Sequence, residues 1–111
     1  MKALQVTKYA DLKDSLAFNE VTKPTFQAKD VLIEIKAAAI NPIDKGIVQG
    51  HLKQILALQL PATLGYDVSG IVTEKGKDVN NIEVGDEVYA RVPQEQMGTL
   101  TEFVAVVSSA V

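Results

Sequence analysis

The sequence contains no cysteine and a single histidine, His51. Without thiols there is no disulfide framework and no thiolate metal site, and nothing recommends an oxidising compartment, so a cytoplasmic location is expected. A zinc site needs three or four nitrogen, sulfur or carboxylate ligands, and this chain is read as binding no metal. A hydrolytic triad would have only His51 as its base. Flanked by Gly50 and Leu52, that histidine reads as an exposed loop residue. None of the seven glycines has the Gly-x-Gly-x-x-Gly spacing of a dinucleotide fingerprint, and a phosphate loop is missing as well. The formal charge of -3 creates no field that would draw in phosphate backbones, so no nucleic-acid partner is expected. No window is apolar for the length of a membrane span. The opening MKALQVTKYADLKD meets Lys8, Asp11 and Asp14 before any signal-peptide core appears.

What is present is one ordinary domain. A chain of 111 residues buries roughly two thirds of the surface it exposes when unfolded, enough to fold without staples. MKALQV and SLAFNEV read as strands, the second stopped before Pro24. In DVLIEIKAAAI, Val31, Ile33 and Ile35 alternate with Leu32, Glu34 and Lys36, which predicts one apolar and one mixed face. NPIDKGIVQG predicts one or two helical turns, with Asn41 as N-cap, Pro42 in the first helical position and Asp44 in the first turn. Gly46 or Gly50 closes them. HLKQILALQL has helix-like spacing at Leu52, Ile55, Leu56 and Leu60 and ends at Pro61, although a loop over the core fits equally.

After that point the pattern is strand and turn. Val68, Gly70 and Val72 share one side of DVSGIVTEKG, with Ser69, Ile71 and Thr73 on the other and Gly76 at its end. A Gly85-Asp86 turn precedes a run in which Val88 and Ala90 share a face, and GTLTEFVAVVSSAV supplies a last strand. The expected fold is mainly β with short helices, an antiparallel or mixed barrel or sandwich. No repeat or low-complexity segment is present.

Two polar clusters fall on the loops. Asn41 and Asp44 lie on one side of the same short turn, where they face a shared cleft or serve only as cap and dipole partner. Tyr66 and Asp67 lead into a buried strand, and alternation sends them to opposite faces, with Tyr66 expected half-buried and its hydroxyl at the surface. Gly65 and Gly70 ask for special backbone angles or a close approach.

Four motifs, DVLIEIKAAAINPID, LPATLGYDVSGIVTEKG, VGDEVYA and GTLTEFV, occur in the order and approximate spacing of one family. Together they make the whole chain, residues 1–111, resemble the N-terminal GroES-like catalytic domain of the medium-chain dehydrogenase/reductase superfamily, a partly open β-barrel. The zinc-containing branch has a cysteine after the first motif and Gly-His-Glu where this chain has Gly65-Tyr66-Asp67. The sequence is therefore most similar to the zinc-independent quinone oxidoreductase and enone reductase branch.

The resemblance implies a parent enzyme that passes hydride from NADPH to a quinone or an α,β-unsaturated carbonyl. Charge then builds on the carbonyl oxygen, which needs donors or water beside it. It also implies that Asn41 and Asp44 bind the cofactor and that Tyr66 lines the substrate side; it assigns no catalytic residue. Many quinone reductases carry a tyrosine and an arginine where this chain has Gly46 and Val48, which leaves the acceptor open. The dinucleotide-binding domain that follows in the family is absent from this chain. The chain alone is accordingly expected to be inactive, to bind NADPH weakly, and to leave a sheet edge or apolar patch that favours a homo-oligomer. The competing readings are a non-catalytic GroES-like binding or assembly module, for which KPTFQAKD is a poor mobile loop, and a reductase relative that retains only partners.

Overall fold

The computed structural model describes residues 1–54 and 58–111. In chain order it contains β1 (Lys2–Val6), α1 (Leu12–Ser15), β2 (Leu16–Glu20), β3 (Asp30–Ala39), α2 (Pro42–Val48), β4 (Ala62–Thr63), β5 (Asp67–Lys75), β6 (Glu87–Arg91) and β7 (Phe103–Val107). Short 3-10 turns cover Gln94–Gln96 and Ser108–Ala110. The strands form two antiparallel sheets among the described residues, one ordered β2-β1-β4 and the other β6-β5-β3-β7. The sheets do not close, in agreement with the partly open barrel expected from the motifs.

Residues 98–102 stitch the two sheets together. Gly98 N–H donates to the Gly65 carbonyl at 2.9 Å, Leu100 N–H to Leu64 at 2.9 Å, Leu4 N–H to Leu100 at 2.9 Å and Ile35 N–H to Glu102 at 2.8 Å. One extended segment thus satisfies backbone groups of β1, β3 and the loop after β4 at once. The core between the sheets is aliphatic: Val6, Val31, Ile33, Val72, Val104 and Val106 are all nearly inaccessible. Ile47 and Val48 anchor α2 to the same cluster.

Most expected elements are in place. Val68, Gly70 and Val72 are buried while Ser69, Ile71 and Thr73 are only partly covered. Leu32 departs from the mixed face assigned to it and is 1% exposed. Its strand is central, paired on both sides by β5 and β7, and its first half is covered on both faces. The α1 turn was not expected; it is held by Ser15 Oγ donating to the Asp11 carbonyl at 2.6 Å. Of the stretch after Gly50, His51–Gln54 forms a turn and Leu58–Leu60 has no regular structure, while Ile55 and Leu56 lie outside the described residues. His51 is exposed, as its neighbours indicated.

The β3–β5 pair carries two register shifts, at Leu32/Ile33 and at Ile35/Ala37. At the second, Gly70 lies so close to β3 that a Cβ on it would stand 2.1 Å from the Glu34 carbonyl oxygen. Only a residue without a side chain fits there. Gly46 is the opposite case, a helical position with nothing within 4 Å of an added Cβ. Gly70→Ala is expected to lower the urea-unfolding free energy by about 1–3 kcal/mol through strain in the sheet. Gly46→Ala should raise it by about 0.5–1 kcal/mol. Equal effects of the two substitutions would contradict the packing described.

Candidate active site

The site begins at the end of β3, where the chain turns from strand to helix. Asn41 is extended at φ -122 and ψ 161, and Pro42, with its fixed φ and missing N–H, opens α2. A capping box joins Asn41 and Asp44, in which Asn41 N–H donates to Asp44 Oδ2 at 2.8 Å. The far end of α2 closes in a Schellman motif. Gly50 takes φ +80, its N–H reaches the Ile47 carbonyl at 3.1 Å, and His51 N–H reaches the Gly46 carbonyl at 3.0 Å. Gly50, not Gly46, is therefore the stop. A seven-residue helix has little stability of its own, so the caps and the buried Ile47 and Val48 hold the turn in place.

From this turn Asn41 reaches across to β5. Its Nδ2 donates to Asp67 Oδ2 at 2.6 Å, a short bond to a carboxylate of the stronger class. Asp67 follows Tyr66, whose carbonyl accepts from Val92 N–H at 2.7 Å. Gly65 before it adopts φ +106, and a Cβ there would stand 2.2 Å from Thr99 Oγ1. The left-handed angle and the close contact both require glycine. The structure thus brings Asn41, Asp44, Tyr66 and Asp67 together.

Their depths differ. Asn41 is partly exposed, Asp44 is 2% exposed and Tyr66 is 4% exposed. Tyr66 is therefore not the half-buried residue expected; its ring belongs to the core cluster. Asp44 lies below the cleft surface, and its Oδ1 is buried without a hydrogen-bond partner among the described residues. The phenol of Tyr66 is shifted above its ordinary range, first by burial and then by the negative charge of Asp44, with Arg91 opposing. Among the described residues no three His, Cys, Asp or Glu side chains converge to hold a metal ion.

Two hollows of about 420 Å³ each flank this cluster. One is lined by Ile43, Leu52, Tyr66, Arg91, Val92 and Gln94 among others. The second lies over Ala37–Ala39, Asp67, Tyr89 and Arg91. Arg91 borders both, with its guanidinium carbon 5.8 Å from the centre of the Tyr66 ring. Sequence reasoning gave Arg91 no role. The available signal was composition, since it is the chain's one arginine.

The alcohol dehydrogenase GroES-like domain family pattern matches residues 27–110. The chain is 36% identical over 103 residues to a chloroplastic quinone-oxidoreductase homolog of Spinacia oleracea, covering 93% of this chain and 31% of that protein. It is 36% identical over 112 residues to a chloroplastic NADPH-dependent alkenal/one oxidoreductase of Arabidopsis thaliana, covering 96% and 29%. The quinone oxidoreductase structure from Coxiella burnetii superposes with a TM-score of 0.90 at 32% identity, covering 99% of this chain and 35% of that one. The chain spans about a third of the length of these relatives.

The raised Tyr66 phenol has a consequence for alkaline stability. Because the native state holds the proton to higher pH than the unfolded chain, the stabilisation is complete below about pH 10, the unfolded value, and is lost as pH rises through the folded value. Urea midpoints measured from neutral pH upward should therefore fall more steeply for the wild type than for Tyr66→Phe once the pH passes about 10. Parallel alkaline limbs would show that Tyr66 does not titrate late.

Proposed function

The chain belongs to the alcohol dehydrogenase GroES-like domain family of the medium-chain dehydrogenases and reductases, and on that premise we propose that it is the substrate-side domain of an NADPH-dependent reductase of quinones or α,β-unsaturated carbonyls. Residues 1–111 form the GroES-like part, and a separate dinucleotide-binding domain completes the enzyme. The observation that carries the reading is the 2.6 Å bond from Asn41 to Asp67, which folds the Asn-Pro-Ile-Asp turn against Tyr66 and makes one polar cluster beside two largely apolar hollows.

The residues present fit a nicotinamide. The Asn41 amide has two N–H donors and spends one on Asp67; the second remains for a carboxamide or ribose oxygen. Asp44 holds an acceptor oxygen without a donor, the kind of buried group that calls for an explanation. We assign Asn41 and Asp44 to the cofactor end and Tyr66 to the wall that receives the acceptor. NADPH, when bound, supplies the hydride. The chain's own task is positional: the capped α2 turn fixes the Asn41 amide, and Tyr66 presents a neutral phenol whose O–H is available as negative charge grows on the acceptor oxygen. A conjugated acceptor needs no metal to polarise it.

In the full-length protein, loss of NADPH absorbance is expected with benzoquinone or methyl vinyl ketone as acceptor. Asn41→Ala should lower kcat/KM about tenfold or more, equivalent to ~1.4 kcal/mol of transition-state stabilisation. NADPH titrated calorimetrically into the 111-residue chain should give no saturable heat in the micromolar range. Absence of turnover with both acceptors overturns the reductase reading, and tight NADPH binding by the chain alone overturns the division of labour between domains.

A further inference from the structure

Arg91 closes β6 and is directly opposite Asp67 in the β5–β6 register. Opposite charges facing each other across an antiparallel pair ordinarily meet. Here Asp67 Oδ2 takes the Asn41 amide instead, and among the described residues Arg91 has no carboxylate within ion-pair distance. It remains exposed in a chain with 14 acidic side chains, its guanidinium near the face of the Tyr66 ring. The surfaces on either side are chiefly apolar, Ile43, Leu52 and Val92 in one hollow and Ala37–Ala39 with Val68 in the other. A planar cation with unspent donors at the junction of two apolar hollows matches a bidentate anion attached to an apolar body.

We propose that Arg91 is a specificity-determining residue that selects acceptors carrying a carboxylate at the end remote from the conjugated carbonyl. The inference rests on the reductase reading for the identity of the acceptor, while the anion site itself does not. The Tyr66 ring keeps the guanidinium beside the hollow that holds the conjugated body, and one oxygen of Asp67 is already taken by the Asn41 amide. Asp44, the other nearby carboxylate, is buried. The acidic end of the ligand therefore meets the Arg91 guanidinium at the border of the two hollows.

The test uses the full-length protein and three probes: benzalacetone, its para-carboxy derivative, and phenylbutanoate, which is acidic but has no reducible double bond. The wild type is expected to favour the carboxylated enone over the neutral one by about fivefold in kcat/KM, near the upper limit for an exposed ion pair. Arg91→Ala should abolish that preference, lowering kcat/KM for the carboxylated enone about fivefold more than for benzalacetone. Arg91→Lys should keep part of it, because the charge remains and the planar fork is lost. Phenylbutanoate should inhibit the wild type competitively against the acceptor and Arg91→Ala much more weakly. Equal losses on both enones, or no preference in the wild type, overturn the proposal and leave the reductase reading standing. Phenylbutanoate competing with NADPH instead would move the anion site to the cofactor and also overturn it. Should neither enone be reduced, calorimetric binding of phenylbutanoate still decides: Arg91-dependent binding supports the anion site with the reductase reading withdrawn, and Arg91-independent or absent binding ends both.

Discussion

The register between β3 and β5 is the constraint on which the site depends. Ala39 pairs with Asp67 at the end of that ladder, so the residue two positions beyond Ala39 emerges beside the first residue of β5. That residue is Asn41, and its amide closes the gap. The alignment is reached only through the irregularity between Ile35 and Ala37, where one extra residue re-aims the rest of the strand. Gly70 permits it by letting β5 press against the Glu34 carbonyl. A slip by one residue would turn Val68 and Val72 out of the core and carry Asp67 away from Asn41 in the same movement. The core and the candidate site are thus specified by one pairing.

Asn41 and Asp44 form a helix cap, and magnitudes show how far that role accounts for their placement. A cap contributes about 1 kcal/mol and works on an exposed helix end. Nothing in that role asks for a carboxylate that is 2% exposed. A buried acceptor without a partner costs about 1–3 kcal/mol, so the arrangement seen at Asp44 Oδ1 is at best neutral for stability. An exposed aspartate would cap as well without that cost. Capping alone does not explain the surplus burial.

The sheets were legible because alternation works wherever one face is covered: Val68, Gly70 and Val72 point inward as their spacing requires. The reading failed where local pattern and three-dimensional neighbours diverge. Leu32 occupies a polar-side position yet lies buried in a central strand, which no single-strand pattern reveals. Tyr66 is expected half-buried from its place before a strand, but the positive φ of Gly65 and the contacts of Gly65 with residues 98–100 fold its ring into the core. The helix stop was open between two glycines, and the choice rests on φ at Gly50. Arg91 was passed over because its sequence neighbours mark only a strand end; its place against Tyr66 and opposite Asp67 belongs to the sheet, not to the local sequence. In Asn41 and Asp44 the motif fixed which residues meet, while the depth of Asp44 came only from the packing.

The electrostatic layout of the cluster also bears on what chemistry it supports. Asp67 Oδ2 is met by the Asn41 amide rather than by a cation, and the Asp44 carboxylate lies beneath the surface. Burial and Asp44 together hold the Tyr66 proton in place, and the opposing influence of Arg91 ranks behind both. A phenol kept neutral well into the alkaline range is a donor at every working pH and never a competing anion. On the reductase reading proposed above, an acceptor that gains negative charge would find in Tyr66 an O–H donor whose proton Asp44 helps to retain. The same field disfavours a mechanism in which Tyr66 must lose its proton to act, since each step toward the phenolate works against Asp44 as well as against burial.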